Sequence, residues 1–207
     1  MCGIAGIIRF DENKIDRDIM DSMLQKLSHR GKDHAQIDSV SSKVNIELGH
    51  RRLSIIDLSD TAVQPMSYDN ESLWLTFNGE IYNYIELRAE LLEHGYNFRT
   101  ESDTEVILVA YKHWGDKCVE HLNGMFAFAL WDEINQRLFC ARDQFGIKPF
   151  YFYQTDKFFA FASESRALEA FHCNRLDADG LAAYLLCSYV PGEFSIFDGV
   201  KKLLPAH

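Results

Sequence analysis

Residues 1–8, Met1-Cys2-Gly3-Ile4-Ala5-Gly6-Ile7-Ile8, place a cysteine directly before a short apolar run of strand character. Removal of Met1, which a second residue as small as cysteine permits, leaves a thiol and a free amine on one residue. A thiol attacks as thiolate, and an adjacent amine with an ordinary pKa of about 7.7 to 8.0 is suited to take its proton near neutrality. Taken alone, Cys2 reads more readily as a small buried hydrophobe on a first strand. The rest of the chain decides between the two.

Outward from that strand, which is expected to run from Gly3 to Phe10, apolar residues Ile15, Ile19, Met20, Met23, Leu24 and Leu27 recur at helical spacing. They predict an amphipathic helix from about Ile15 to His29, with Gly31 just past its end. Further strands are expected at Val44 to Gly49, Leu73 to Asn78, Met125 to Asp132, Leu138 to Arg142, Phe150 to Tyr153 and Phe158 to Ser163. Their short connections predict antiparallel hairpins. Helices are expected from Tyr84 to His94, from Asp103 to Trp114 and from Asp177 to Ser188. The second of these opens on Ser102-x-x-Glu105, a capping-box pattern, and closes at Gly115. Strand-rich blocks separated by helical blocks predict an α+β fold in layers, not a doubly wound parallel sheet.

With 207 residues, 47% of them hydrophobic, the chain can bury the core of one large domain. A net charge of -10 with scattered Lys and Arg argues against nucleic-acid and anionic-membrane binding. Cysteines at 2, 118, 140, 173 and 187 form no Cys-x-x-Cys pair and no zinc-ligand set, which fits a reduced cytoplasmic location. No signal-peptide pattern is present, and no apolar run approaches the roughly 18 to 20 residues of a membrane span. The eight histidines form no metalloprotease-like motif, so no metal site is expected and His29 and His50 are read as structural.

Several segments, in order, carry a more specific signal: MCGIAGI at the start, HRGKD at 29–33, GHRRLSIID from Gly49, FNGEIYN from Phe77, ESDTEVIL from Glu101, LNGMFAFALWD from Leu122 and ARDQFGIKPFYF from Ala141. Together they resemble the glutamine amidotransferases with an N-terminal nucleophile, most closely the glutaminase domain of glutamine-hydrolysing asparagine synthetases. The resemblance implies a four-layer αββα sandwich of two antiparallel sheets between helical layers. It also implies L-glutamine as substrate and no cofactor in this domain.

The resemblance carries over to single residues. Cys2 matches the nucleophile, and its own amine the base. Arg52 matches the arginine that binds the substrate carboxylate, for which a planar guanidinium fork is suited. Arg51 points to the opposite face of an extended chain. Leu53, Ser54, Ile55 and Ile56 follow as substrate-binding positions, Asp103 matches the carboxylate for the α-ammonium, and Glu80 lies beside the amino-acid head group. Asn78 and Gly79 match the oxyanion hole, where losing one donor typically costs about a hundredfold to a thousandfold. On its own, Asn-Gly is a turn signal, but Glu80-Ile81-Tyr82-Asn83 leads into a helical pattern instead of a returning strand. Plain alternatives are a surface arginine at a strand end for Arg52, a structural acidic residue in a helix first turn for Asp103 and a solvated turn carboxylate for Glu80.

Two positions depart from the family pattern: Lys32 stands where His-Arg-Gly-Pro-Asp has proline, and Leu58 to Val63 lacks the usual Gly-His before Gln-Pro. No Ser-Gly-Gly-x-Asp-Ser loop or other phosphate loop occurs. Residues 2–190 are therefore expected to be the glutaminase domain and 191–207 a linker towards an absent synthetase domain, the part for which ATP and Mg are implied. Ammonia from glutamine would pass to that domain; homodimerisation is compatible with this reading. Two rivals are an amidohydrolase of the same fold acting on another amide, against which the Arg52 and Asp103 pair speaks, and a non-catalytic module that only binds glutamine.

Overall fold

Alternation of apolar residues in short strands builds two antiparallel sheets, and amphipathic helices cover their outer faces. The computed structural model describes residues 1–172 and 175–207; Cys173 lies outside the described residues. In chain order the elements are β1 (Gly3–Arg9), α1 (Arg17–Lys26), β2 (His34–Ser39), β3 (Ile46–Arg52), β4 (Met66–Tyr68), β5 (Leu73–Ile81), α2 (Tyr84–Glu93), α3 (Asp103–Trp114), α4 (Cys118–His121), β6 (Gly124–Asp132), β7 (Arg137–Arg142), β8 (Tyr151–Gln154), β9 (Phe158–Ala162), α5 (Glu169–His172), α6 (Ala178–Cys187) and β10 (Val200–Lys202). One sheet has the order β10-β8-β9-β1-β3-β2 and the other β4-β5-β6-β7.

The core lies in three sheets of contact. Ile4, Ile8, Ile46 and Leu48 of the larger sheet meet Ala127, Ala129 and Trp131 of the smaller one between the layers. On the outer face of the larger sheet, Ala5, Ile7, Ala160 and Ala162 pack on Met20, Met23 and Leu24 of α1. On the outer face of the smaller sheet, Leu75, Phe77 and Phe128 pack on Val106, Val109 and Ala110 of α3 and on Leu87 and Leu91 of α2. Each large apolar side chain so buried contributes about 1.5 to 3 kcal/mol before entropy is counted. The result is the helix–sheet–sheet–helix sandwich expected from the sequence.

Local differences have local causes. α1 stops at Lys26, short of His29, and Gly31 is no cap: a Cβ there would come within 2.5 Å of the Arg51 backbone, so the glycine serves a close chain crossing. The capping box at α3 is half formed. Ser102 Oγ accepts from Thr104 N at 3.0 Å, but the buried Glu105 carboxylate turns instead to Arg99 N and Thr100 N at 2.9 and 2.7 Å. β5 continues past Asn78 to Ile81, so Asn78-Gly79 lies inside a strand, paired with Ala127 and Phe126, and forms no turn. β2, β4 and β10 were not expected. β10 pairs with β8, Val200 opposite Tyr153, and buries Val200 beside Ala160 and Leu168; Arg142 N donates to His207 O at 2.7 Å. Residues 191–207, expected as a linker, are thus part of the folded layer.

Candidate active site

Strand alternation gathers the polar residues at one end of the sandwich. β1 and β3 pair with Gly3 opposite Arg51, so the start of β1 lies beside the end of β3. Ile4 and Ile8 face the space between the sheets, and Cys2, two residues before Ile4, shares that face. On β3 the same face runs from Ile46 and Leu48 through His50 to Arg52. Arg51 points outward, its Nε donating to Leu24 O at 2.9 Å. Arg52 is buried, with Nη1 donating to Ser59 O at 2.9 Å and Nη2 to Asp57 O at 2.5 Å. Those bonds fold the segment after β3 back over the cleft, and Ser54 N anchors it to Asp33 Oδ2 at 2.7 Å.

Cys2 Sγ sits against this segment. Leu53 N donates to it at 3.4 Å, and Sγ lies 3.6 Å from Leu53 O. Burial pushes the thiol pKa up; the Leu53 N–H, the terminal ammonium and Arg52 act in the opposite direction, and Asp103 adds to the rise. Arg30 Nε holds Cys2 O at 2.9 Å.

β5 supplies the opposing wall. β4 covers the edge of β5 only from Leu73 to Leu75. Beyond it, side chains take over: Phe77 N donates to Gln64 Oε1 at 2.7 Å and Ile81 N to Asp103 Oδ2 at 3.0 Å. Alternate N–H groups of a strand point to one edge, so the Gly79 N–H lies between those two on the side without a strand. A Cβ at Gly79 would come within 2.3 Å of Met125 O and 2.6 Å of a Phe77 ring carbon, which explains the glycine. Asn78 and Glu80 share the other face of β5, with Thr76, whose Oγ1 bonds Gly49 O of the larger sheet at 3.0 Å. Asn78 is 1% exposed, and its Nδ2 has no hydrogen-bond partner among the described residues.

Asp103 heads α3 at the cleft. Burial raises its pKa to about 6; bonds from Ile81 N and Thr104 N pull it down, and Glu80 pushes it up. The cleft encloses about 180 Å³, an amino-acid-sized space and smaller than typical drug-sized pockets. Cys2, Arg52, Leu53, Ser54, Ile55 and Ile56 line one side of it, and Asn78, Gly79, Glu80 and Asp103 the other. Every residue singled out from sequence therefore reaches the same cavity. His29 and His50 do not line it; His29 Nε2 bonds Glu164 at 2.8 Å, and buried His50, whose pKa burial lowers to about 3, bonds Phe77 O at 3.1 Å. Among the described residues no group of three His, Cys, Asp or Glu is arranged to hold a metal ion, and no helix is long and apolar enough to cross a membrane.

Gln64, Met125 and Lys148 also line the cleft and were not singled out. Gln64 clips Phe77 N to Thr104 Oγ1, 3.1 Å from its Nε2. Its only sequence signal is the Gln-Pro step, and that of Lys148 the motif from Ala141.

Comparison with known proteins agrees with this geometry. Residues 1–207 match the model of a family described as a glutamine amidotransferase domain. The chain is 39% identical over 209 residues to asparagine synthetase [glutamine-hydrolyzing] 1 of Bacillus subtilis (strain 168), covering 99% of this chain and 32% of that protein. It is 40% identical over 215 residues to asparagine synthetase [glutamine-hydrolyzing] 3 of the same organism, covering 100% and 34%. The chain thus spans about a third of the length of these relatives. Among solved structures, glutamine phosphoribosylpyrophosphate amidotransferase from B. subtilis, complexed with ADP and GMP, superposes with a TM-score of 0.67 at 26% identity, covering 81% of this chain and 43% of that one.

Proposed function

The chain belongs to the glutamine amidotransferase domain family, and on that premise we propose that it hydrolyses L-glutamine to glutamate and ammonia through a thioester on Cys2. The observation that carries this reading is the buried Asn78 Nδ2, a donor without a partner in the same cleft as Cys2 Sγ. An unmet buried donor costs about 1 to 3 kcal/mol, a cost that makes sense where a ligand oxygen supplies the missing acceptor.

In the proposed cycle, loss of Met1 frees the Cys2 amine, which takes the thiol proton. The thiolate attacks the side-chain amide carbon, and negative charge develops on the carbonyl oxygen. Asn78 Nδ2 and the Gly79 N–H meet that oxygen; they are fixed before the reaction, so no reorganisation is spent in the transition state. The proton returns from the Cys2 amine to the departing nitrogen, ammonia leaves, and water hydrolyses the thioester. Arg52 receives the substrate carboxylate, while Asp103 and Glu80 receive the α-ammonium. Leu53 to Ile56 close over the side chain. This domain needs no cofactor for these steps.

The ammonia serves an ATP-dependent amidation of aspartate by a synthetase domain, with ATP and Mg bound there, in a cytoplasmic enzyme. The names and lengths of the relatives support that acceptor. A diazoketone analogue of glutamine tests the site: it should label the N-terminal peptide at Cys2, with protection by glutamine, and labelling elsewhere contradicts the assignment. For the acceptor, protein carrying both domains should form asparagine from glutamine or from ammonium, and Cys2→Ala should abolish only the first.

A further inference from the structure

The turn between β7 and β8 is tied down from both ends. Asp143, fully buried, accepts from the backbone N–H groups of Phe126, Phe145, Ile147 and Lys148 at 3.2, 3.1, 2.9 and 3.0 Å. Arg142 donates to Lys148 O, Gly146 O and Leu203 O at 2.6, 2.6 and 2.5 Å. The turn delivers the Lys148 side chain into the wall of the Cys2 cleft, where it is 6% exposed. Among the described residues its ammonium has neither an ion pair nor a hydrogen bond, and burial, with Arg30 nearby, pushes its pKa down. With no carboxylate in contact to neutralise it, this cation acts on the groups that share the cleft wall, so its field on Cys2 is the effect to examine.

Charged groups face Cys2 from each element packed around it. Arg30, after α1, is paired with Glu164 at 3.0 Å. Arg52 closes β3 and Asp103 opens α3, and both are assigned to the head group of glutamine. Asp143 is occupied by backbone donors. Asp57, which also lines the cleft, accepts from Ser59 N and Glu101 N at 2.8 and 3.0 Å, and Glu80 of β5, which attracts Lys148 electrostatically in the ligand-free protein, is assigned to the α-ammonium with Asp103. With substrate bound, Lys148 is the cation left facing the nucleophile without a partner of its own.

We propose that Lys148 is a positioning residue for the transferred proton: its ammonium keeps the free amine of Cys2 in the proton-accepting form at neutral pH. A like charge nearby makes protonation of the amine less favourable and, by the same field, favours the thiolate. No bond changes at Lys148; the proton passes from Cys2 Sγ to Cys2 N. The inference rests on the reading of Cys2 as nucleophile, so its test includes a readout that needs no turnover.

The experiment compares Met1-free wild type with K148M, K148Q and K148R. It follows glutamate release against pH and, in parallel, the pH dependence of iodoacetamide alkylation of the N-terminal peptide by mass spectrometry. Removing the charge should move the acidic limb of both profiles up by about one pH unit. At pH 7, kcat should fall about tenfold, with recovery at alkaline pH and KM for glutamine within twofold. K148R should keep the wild-type midpoint. Two uncharged variants are used so that misfolding of one leaves the other. Uniformly scaled profiles with an unmoved midpoint, or a K148R profile displaced like that of K148M, overturn the proposal. Wild type that alkylates with the expected pH dependence but releases no glutamate refutes the glutaminase reading and leaves the Lys148 result standing.

Discussion

The backbone N–H of Leu53 donates to Cys2 Sγ over 3.4 Å, so the residue after Arg52 is fastened to the sulfur. One peptide unit thus joins the group assigned to the substrate carboxylate with the group assigned to attack. A carboxylate bound at Arg52 fixes its distance from the sulfur, which is the positioning that turns a bimolecular encounter into a directed one.

Arg52→Lys should therefore affect more than charge. Lysine cannot reproduce the fork that holds Ser59 O and Asp57 O while meeting a carboxylate. KM for glutamine should rise by about tenfold or more, with a smaller loss in kcat. Steady-state kinetics on the variant check this; an unchanged KM would place the carboxylate elsewhere.

Asn78→Ala should lower kcat by about a hundredfold to a thousandfold with little change in KM, because the donor acts where charge develops. Chemical denaturation should show stability at or above wild type, since an unpartnered buried donor is removed. A variant that loses stability and keeps its kcat would make Asn78 a structural residue.

Asp103 makes a pH prediction of definite sign. Its folded pKa of about 6 lies above the ordinary 3.8. The folded state therefore binds more protons than the unfolded one in that window, and the contribution to stability, full below 3.8, is lost as pH rises through 6. Asp103→Asn should stabilise the ligand-free protein above pH 6, on the order of 2 kcal/mol, and make no difference well below pH 4. His50 runs the other way, losing stability as pH falls from 6.5 towards 3, but it is common to both proteins and cancels in the difference. Wild-type KM for glutamine should rise as pH falls through about 6, and this dependence should vanish in Asp103→Asn. Urea titrations at several pH values, paired with kinetics, measure both.

Gly79→Ala places a methyl group against Met125 O and the Phe77 ring. Overpacking of this kind costs about 1 to 3 kcal/mol and pushes β5 away from β6. Thermal unfolding should show a lower Tm, and turnover should fall further than Tm alone accounts for, because the Gly79 N–H moves with the strand. Unchanged turnover would remove that N–H from the oxyanion site.

Amphipathic elements with a clear period were legible in the sequence. α3 occupies the expected Asp103 to Trp114, and β6 and β9 fall within a residue of their expected ends. β2, with sequence His34-Ala-Gln-Ile-Asp-Ser39, was not, because an edge strand half open to solvent carries no apolar alternation and takes its register wholly from β3. β10 is three residues long and forms only because β8 offers an edge and Val200 a core contact. At the site, the residues carried by short motifs were found. Gln64 and Lys148 were missed, since one acts through an amide clip across the fold and the other depends on a turn whose bonds join residues as distant as Phe126 and Leu203.

The nucleophile itself allows the most direct test. With Met1 attached, the nitrogen of Cys2 is an amide and cannot serve as base, so the mass of the purified protein and its activity belong in one experiment. Intact mass spectrometry followed by glutamate release from glutamine, in wild type and Cys2→Ala side by side, should show loss of Met1 and release that depends wholly on Cys2. Processed wild type that binds glutamine without releasing glutamate, or a Cys2→Ala protein that still hydrolyses it, would contradict the terminal-cysteine mechanism.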